Sequence, residues 1–499
     1  MEIINNILYG FSVSLQPINL LYCLVGVFIG SLVGVLPGLG PVASISMLLP
    51  VAFRIPTPTS ALIMLAGIYY GAQYGGSTTS ILVNIPGEAS TIVTCIDGYQ
   101  MARQGRAGPA LGIAAFGSFI AGTLAVVGLT LMAPPLAHYA LRFGPPEYAS
   151  LMFFAFTILN YIARESIVKA FMMAGLGLML GVVGMDFMTG QHRFSYGILA
   201  LEDGLGIVPV VMGLYGISEV LINIEETAIR PVFKSKISGL LPNRQDWKES
   251  IGPIGRGSII GFFFGILPGG GPVIPPFISY AIEKRISKHP ERFGHGAIAG
   301  VAGPESANNA GVTSAFIPML TLGIPATATM AVLLGALIML GVQPGPLLMQ
   351  KAPEIFWGTV TSMYTGNVML LVLNLPLIAL WVKVLKVPYP ILFPLILLLC
   401  LIGVYSIHNT FIDIIIMNVF GIVGYLVKKM GYEGGPFILA FILGPLFENS
   451  LRQSLMMSKG SFSIFYARPI CLIILIVAFA MIVSPLILRK RVRIGDDTR

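Results

Sequence analysis

Two stretches of this chain carry the same interrupted apolar pattern, GVFIGSLVGVLPGLGPV at 26–42 and GSIIGFFFGILPGGGPV at 257–273, an offset of 231 (257 − 26). Each has glycine at its first, fifth and ninth positions and then Leu-Pro-Gly-x-Gly-Pro-Val. Glycines set between two prolines cannot sustain a helix. In hydrocarbon an unpaired backbone group costs several kcal/mol, so such a break is tolerated only where protein or water surrounds it. A second pair follows in the same order. YGGSTTSILVNIP (74–86) is answered by NNAGVTSAFIPMLTLGIP (308–325), anchored by Thr79-Ser80 and Thr313-Ser314 at an offset of 234 (313 − 79), with five extra residues before the second Ile-Pro. GPAL at 108 and GPLL at 345 give a fainter third echo. Nearly constant offsets across separate patches mean that the chain is duplicated.

Composition places these breaks in a membrane. Hydrophobic residues make up 55% of the 499 and charged residues only 10%, with a mean hydropathy of +0.85, far from the makeup of a soluble domain. The reading is an all-α polytopic membrane protein. Several apolar runs fall short of the ~20 residues that a simple span needs, so about 10–12 membrane elements are expected, some of them half-length. The first residues carry no Lys or Arg and so lack the charged region of a signal peptide. Ile3, Ile4, Ile7, Leu8 and Phe11 fall at helical spacing, which suits an N-terminal peripheral helix, an ordinary first span being the alternative. The cysteines (Cys23, Cys95, Cys400, Cys471) are scattered and read as small core residues, not as disulfides or metal ligands. The net charge of +8 gathers in loops and in the tail RKRVR at 489–493. That is the positive-inside signal, and it puts the C-terminus in the cytoplasm.

The most polar interior stretch, 225–252, reads as a cytoplasmic linker between a first repeat, 1–224, and a second, 253–499. Charges around corresponding motifs set the sense of the duplication. The first broken element has no Lys or Arg before it and Arg54 soon after, whereas the second is bracketed by Lys248 and Arg256 and by EKRISKHPER (283–292). Equivalent flanks thus face opposite sides, which predicts two inverted repeats. Positive charge at both ends of 257–282 further predicts a re-entrant hairpin turning at PGGGP, with arms of about ten residues, roughly 15 Å each. One kinked helix is the competing geometry.

Paired discontinuous helices point to a transporter binding site, because half-helix N-termini offer N–H groups to anions while freed carbonyls hold cations. Candidate substrate contacts are the two tips, Gly38, Leu39 and Gly40 with Gly269, Gly270 and Gly271, and the hydroxyl clusters Ser77, Thr78, Thr79, Ser80, Thr313 and Ser314. Such hydroxyls often bond only to their own helix. Pro86 and Pro325 are placed to begin new half-helices, with Glu88 in one first turn and Thr327 and Thr329 in the other. Glu305, Asn308, Asn309 and Thr327 are candidate cation ligands, since an ionisable residue inside a membrane is functional by default. Lys and Arg are almost absent from the apolar elements, so an anion must be held by amides and hydroxyls, with co-transported cations neutralising its charge. Enzyme readings find little: the five histidines lack metal-ligand spacing, and no Gly-Lys-Ser/Thr follows PGGGP to make a P-loop.

The tips GVLPGLGP and GILPGGGP, with YGGSTTSILVNIPGEAST, DGYQMARQGRAGPALG and GPESANNAGVTSAFIPMLTLGIPATATMAVLLGAL, resemble the large membrane subunit of the tripartite tricarboxylate transporters, the TctA family. The resemblance covers most of the chain. It implies a secondary transporter of the bacterial inner membrane that works with a small membrane subunit and a periplasmic solute-binding protein. It also implies uptake coupled to an ion gradient, commonly sodium, with citrate and related tricarboxylates as founding substrates. The family's motifs carry onto the glycines of 38–40 and 269–271, the hydroxyls of 77–80 and 313–314, and Asn308 and Asn309. The expected mechanism is alternating access of elevator type, with sodium or a proton as coupling ion and no other cofactor. An ion or solute channel and an integral membrane enzyme are the alternatives.

Overall fold

The computed structural model describes residues 2–36, 39–162, 166–186, 188–225, 239–267, 271–385, 387 and 389–496. The first half contains α1 (Glu2–Ser14), α2 (Pro17–Val35), α3 (Pro41–Ala52), α4 (Pro58–Val83), α5 (Ile92–Arg103), α6 (Ala107–Ala140), α7 (Pro145–Ile162), α8 (Ile167–Gly181), α9 (Ile207–Val211) and α10 (Ser218–Glu225). The second contains α11 (Arg244–Ile266), α12 (Ile274–Ile286), α13 (Ala299–Ser314), α14 (Phe316–Leu322), α15 (Ala328–Met339), α16 (Leu348–Lys351), α17 (Pro353–Asn374), α18 (Ile378–Val384), α19 (Tyr389–His408), α20 (Phe411–Lys429), α21 (Gly434–Met457), α22 (Ser463–Ala467) and α23 (Pro469–Asp496). A short hairpin, β1 (Gly184–Met185) and β2 (His192–Arg193), follows α8. Among the described residues seven helical segments are long and apolar enough to cross a membrane, and four shorter apolar helices accompany them. The chain is an all-α multi-pass membrane protein.

Close packing in the core rests on the duplicated glycines. On α2, Gly26, Gly30 and Gly34 lie against the carbonyls of Met64, Ile68 and Ala72 on α4. On α11, Gly257, Gly261 and Gly265 lie against the carbonyls of Gly303, Ala307 and Gly311 on α13. A Cβ at Gly34 would stand 2.1 Å from Ala72 O, and one at Gly261 would stand 2.2 Å from Ala307 O. No side chain fits either gap, so backbones meet directly, as small residues allow between membrane helices.

These contacts also correct the register of the second motif. The glycines repeat at 231, but their partners repeat at 239 (303 − 64, 311 − 72). The same 239 relates the left-handed residues that end the broken helices, Asn84 (φ 58°) and Gly323 (φ 71°), and the caps that start the next ones, Glu88 and Thr327. Ile85-Pro86 and Ile324-Pro325 therefore correspond. Thr79-Ser80 and Thr313-Ser314 do not, because the five-residue difference lies inside the helix and rotates the later hydroxyls to other positions.

α11 and α12 fold back on one another after the break that begins at Leu267. Arg256 joins them by donating Nε and an Nη to the two carboxylate oxygens of Glu283, at 2.8 and 2.6 Å. This is the hairpin, not a single kinked helix. α6 packs on α13, α17 packs on α4, and α6 and α17 meet, so each half closes over the broken helix of the other. The N-terminal α1 lies along α17, with Gly10 against the carbonyl of Trp357.

Polar latches mark the two ends of the molecule. At one end Asp97 accepts the N–H groups of Gly294, Gly296 and Ala297 (2.9, 2.7 and 2.9 Å) and the Tyr280 hydroxyl (2.9 Å), while Arg106 pairs with Asp246. The long α6 leads from there to the other end, where Arg468 pairs with Glu147 (3.0 Å). There too Asp186 accepts from Arg193 (2.6 Å), Arg452 (2.9 Å) and Thr189 (2.6 Å). The Thr189 hydroxyl and the Arg452 guanidinium hold the Asp186 carboxyl well below the usual carboxylate range.

Gly34→Val and Gly261→Val should each lower the detergent-solubilised melting temperature by an amount equivalent to about 3 kcal/mol or more, since backbone cannot yield as a side chain does. Gly175→Ala, whose Cβ would meet nothing within 4 Å, should leave it unchanged. Because folding lowers the Asp186 pKa, its stabilisation is present above the unfolded value of about 3.9 and is lost as pH falls toward the native one. Arg452→Gln should therefore lower stability at neutral pH and flatten the loss below about pH 4, as followed by melting temperature across a pH series.

Candidate functional site

Thr57 caps the first turn of α4 by accepting from Ser60 N (3.2 Å). From Thr59 to Leu82 every residue of this helix is buried. A helix enclosed on all sides must pair its own polar groups. Gln73 and Ser77 stand one turn apart on it and each reaches a different carboxylate. Gln73 Nε2 donates to Glu88 Oε2 (2.9 Å), and the Ser77 hydroxyl donates to Glu305 Oε2 (2.5 Å). A second pair one turn apart closes the other side: Ser90 donates to Glu88 Oε1 (2.6 Å) and Thr94 donates to Glu305 Oε1. Glu88 also caps the 3-10 turn 89–91 in a reciprocal box with Thr91, which fixes the chain entering α5.

Glu305, Asn308 and Asn309 come from one face of α13 and all are buried. Asn309 Nδ2 donates to Ser118 Oγ of α6 (2.7 Å) and to the Glu305 carbonyl (3.1 Å). Asn308 faces Glu88, yet neither Oδ1 nor Nδ2 has a hydrogen-bond partner, and the hydroxyls of Tyr69, Tyr74 and Ser306 are also buried without one. Among the described residues no Lys, Arg or His pairs with Glu88 or Glu305. The structure thus gathers Ser77, Glu305, Asn308 and Asn309 into one cluster. Thr78 joins Ser77, Tyr74, Ser118 and Asn374 around a neighbouring cavity of about 20 Å³, room for roughly one water.

The other candidates stand elsewhere. Thr79 donates to Val35 O (2.8 Å), Ser80 to Gly76 O (2.9 Å), Thr313 to Asn309 O (3.1 Å) and Ser314 to Gly311 O (3.3 Å), so these hydroxyls serve helix carbonyls. Thr327 caps α15 by accepting from Met330 N (3.1 Å). Gly271 has φ 46°, and a Cβ there would lie 2.5 Å from Thr327 Cγ2, so both conformation and space demand glycine. Leu39 is buried in the apolar core, and the Cα of Gly40, the cap of α3, faces open space. Gly38, Gly269 and Gly270 lie outside the described residues. Sequence reasoning missed Gln73, Ser90, Thr94 and Ser118. The only signal for Gln73 was a lone amide in the run YYGAQYGG.

Two larger cavities open at the end marked by Asp186. One, about 580 Å³, is bordered by Leu322 and Gly323 at the second break and by Pro344, Asn449 and Gln453. The other, about 390 Å³, is bordered by Asp186, Arg193, Glu202 and Glu448. Ile338, Leu446 and Asn449 border both.

Ser77→Ala and Thr94→Val each strip a donor from the buried Glu305 carboxylate and should cost about 1.5–3 kcal/mol apiece. Because they act on one group, their effects should not add. Ser80→Ala and Thr313→Val should stay within about 1 kcal/mol, because a hydroxyl that bonds back to its own helix contributes little. Thermal unfolding in detergent ranks the four.

A family model described as "Tripartite tricarboxylate transporter TctA family" matches residues 20–439. The chain is 49% identical over 487 residues to an "Uncharacterized 52.8 kDa protein in TAR-I ttuC' 3'region" of Agrobacterium vitis, covering 98% of this chain and 97% of that protein. It is 48% identical over 242 residues to an "Uncharacterized protein in TAR-II ttuC' 3'region" of the same organism, covering 48% of this chain and all of that protein. No solved structure matches.

Proposed function

The chain belongs to the tripartite tricarboxylate transporter TctA family, and on that premise we propose that it is the large membrane subunit of a carrier importing citrate-like tricarboxylates or related organic acids. Its partners are a small membrane subunit and a periplasmic solute-binding protein that hands over the substrate. Import is driven by a cation gradient, sodium being the ion that the sequence resemblance implies. The observation that carries this reading is the pair of broken helices, ending at Asn84 and Gly323 and restarting at Glu88 and Thr327, beside one cluster of buried polar groups. Half-helix starts of this kind hold anions in secondary transporters.

Charge supports the orientation. Arg103, Arg106, Arg244, Lys248, Arg256, Lys284, Arg285 and Arg292 belong to the end latched by Asp97, which the positive-inside rule assigns to the cytoplasm of a bacterial inner membrane. α23 starts beside Glu147 at the opposite end and runs toward the basic tail, in keeping with a cytoplasmic C-terminus. The 580 Å³ cavity then opens to the periplasm and borders the second break. Its size suits a small-molecule ligand.

The reciprocal packing of α6 on α13 and of α17 on α4 is what inverted repeats would produce. We assign the motion to an elevator-type displacement of the hairpins and broken helices against the long helices, with Glu305, Asn308 and Asn309 on the cation side of the site and Thr327 as the cap of the half-helix start.

Radiolabelled citrate uptake into proteoliposomes holding this chain, the small subunit and the binding protein tests the reading. Uptake that needs the binding protein and rises with an inward sodium gradient is the expected result. Uptake indifferent to both the binding protein and any cation gradient would sink the carrier in favour of a channel.

A further inference from the structure

We propose that Glu88, paired with Glu305 and spanned by Asn308, binds and releases a proton during the transport cycle. The proposal rests on the carrier reading above and adds a residue, Glu88, and a ligand, the proton. Gln73 and Ser77 on α4, and Ser90 and Thr94 on the chain entering α5, hold the two carboxylates at successive helical levels. One turn is about 5.4 Å, which sets the scale of their separation. Every one of these donors is neutral. Two carboxylates at such a spacing in a site without a basic partner repel each other strongly unless a positive charge joins them.

Asn308 decides which positive charge the site suits. It is 1% exposed and three residues beyond Glu305 on the same helix face, and it lies within reach of the Glu88 carboxylate while neither amide atom meets any group in full hydrogen-bond geometry. Its Nδ2 can donate to an ionised Glu88, and its Oδ1 can accept from a protonated one. The amide therefore serves either state without rearranging the helix. In the step itself a hydronium ion gives its proton to a Glu88 oxygen, an O–H bond forms, and a water molecule remains. Release to water at the other face reverses this. No electrons are transferred.

The surrounding elements leave the pair isolated. α4 contributes Tyr69 and Tyr74, and α5 contributes Cys95. Asp97 and Glu283 face Gly300 and Gly303, in the first turns of α13 before Glu305. Asp97 is occupied by three N–H groups and the Tyr280 hydroxyl, and Glu283 by Arg256. α6 carries no titratable side chain before His138.

The test compares wild type, Glu88→Gln and Glu88→Asp in the full three-component system. Substrate exchange at equal pH needs no net proton movement, whereas accumulation driven by an inward pH gradient does. Glu88→Gln should lose pH-driven accumulation while substrate exchange persists at a reduced but measurable rate, because the change also disturbs the bonds from Gln73 and Ser90, and Glu88→Asp should recover at least part of the accumulation. Infrared difference spectra over a pH titration of detergent-solubilised protein give a readout that does not depend on transport. Wild type should show a carboxylic C=O band that Glu88→Gln removes. Unchanged pH-driven accumulation in Glu88→Gln overturns the proposal. So does loss of exchange in both variants, which makes Glu88 structural, or a loss confined to sodium-driven accumulation, which makes the pair a sodium site. If wild type shows no binding-protein-dependent uptake yet keeps the Glu88 band, the carrier reading fails and the proton site stands.

Discussion

A helix interrupted inside an apolar layer strands backbone N–H and C=O groups that only protein can pair, and the rest of this structure follows from meeting that demand. The solution is to bring backbone against backbone. Gly26, Gly30 and Gly34 seat α2 on the carbonyls of α4, and Gly257, Gly261 and Gly265 seat α11 on those of α13. Each break is then closed by a left-handed terminus, Asn84 or Gly323, and by a side-chain cap, Glu88 or Thr327. Because α6 covers α13 and α17 covers α4, neither half shields its own break without the other.

The same closeness concentrates polar groups where water is excluded. Gln73, Ser77, Ser90 and Thr94 satisfy Glu88 and Glu305, while Asn308 retains two unused hydrogen-bonding atoms. Most buried polar atoms in folded proteins are paired, so an amide left without a partner next to two carboxylates sets this cluster apart from the rest of the helix interface. The latches at the two ends do different work. Asp97 accepts converging N–H groups from a loop in which Gly294 and Gly296 take φ of 90° and 100°, an arrangement available to glycine and costly to other residues. It ties α5 to the loop before α13 and so holds Thr94 near Glu305.

Much of this was legible in the sequence because membrane helices advertise their breaks. The duplicated glycine spacing predicted two equivalent helix pairs, the charges flanking 257–282 predicted a hairpin, and the polarity of Glu305, Asn308 and Asn309 pointed to the buried polar cluster that α13 forms with α4 and α6. The hydroxyl-rich motif misled for a physical reason. Thr79, Ser80, Thr313 and Ser314 look alike in sequence, but each is free to bond a nearby carbonyl, and a match of two letters does not fix which way a helix face turns. Gln73 and Thr94 gave little warning, since one amide or hydroxyl in an apolar run has the same appearance whether it bonds to its own helix or to a neighbour.

The sequence by itself determined the membrane class, the duplication, the positions of the breaks and the family. These depend on local composition and on glycine and proline, whose backbone effects need no partner. Only the tertiary structure decided that the partner register is 239 rather than 234, that Ser77 and Thr94 meet on one carboxylate, and that Asn308 stands unpaired before Glu88. Those facts depend on the rotation and approach of whole helices, which are set by contacts between residues as far apart as Ser77 and Glu305 and by no local pattern.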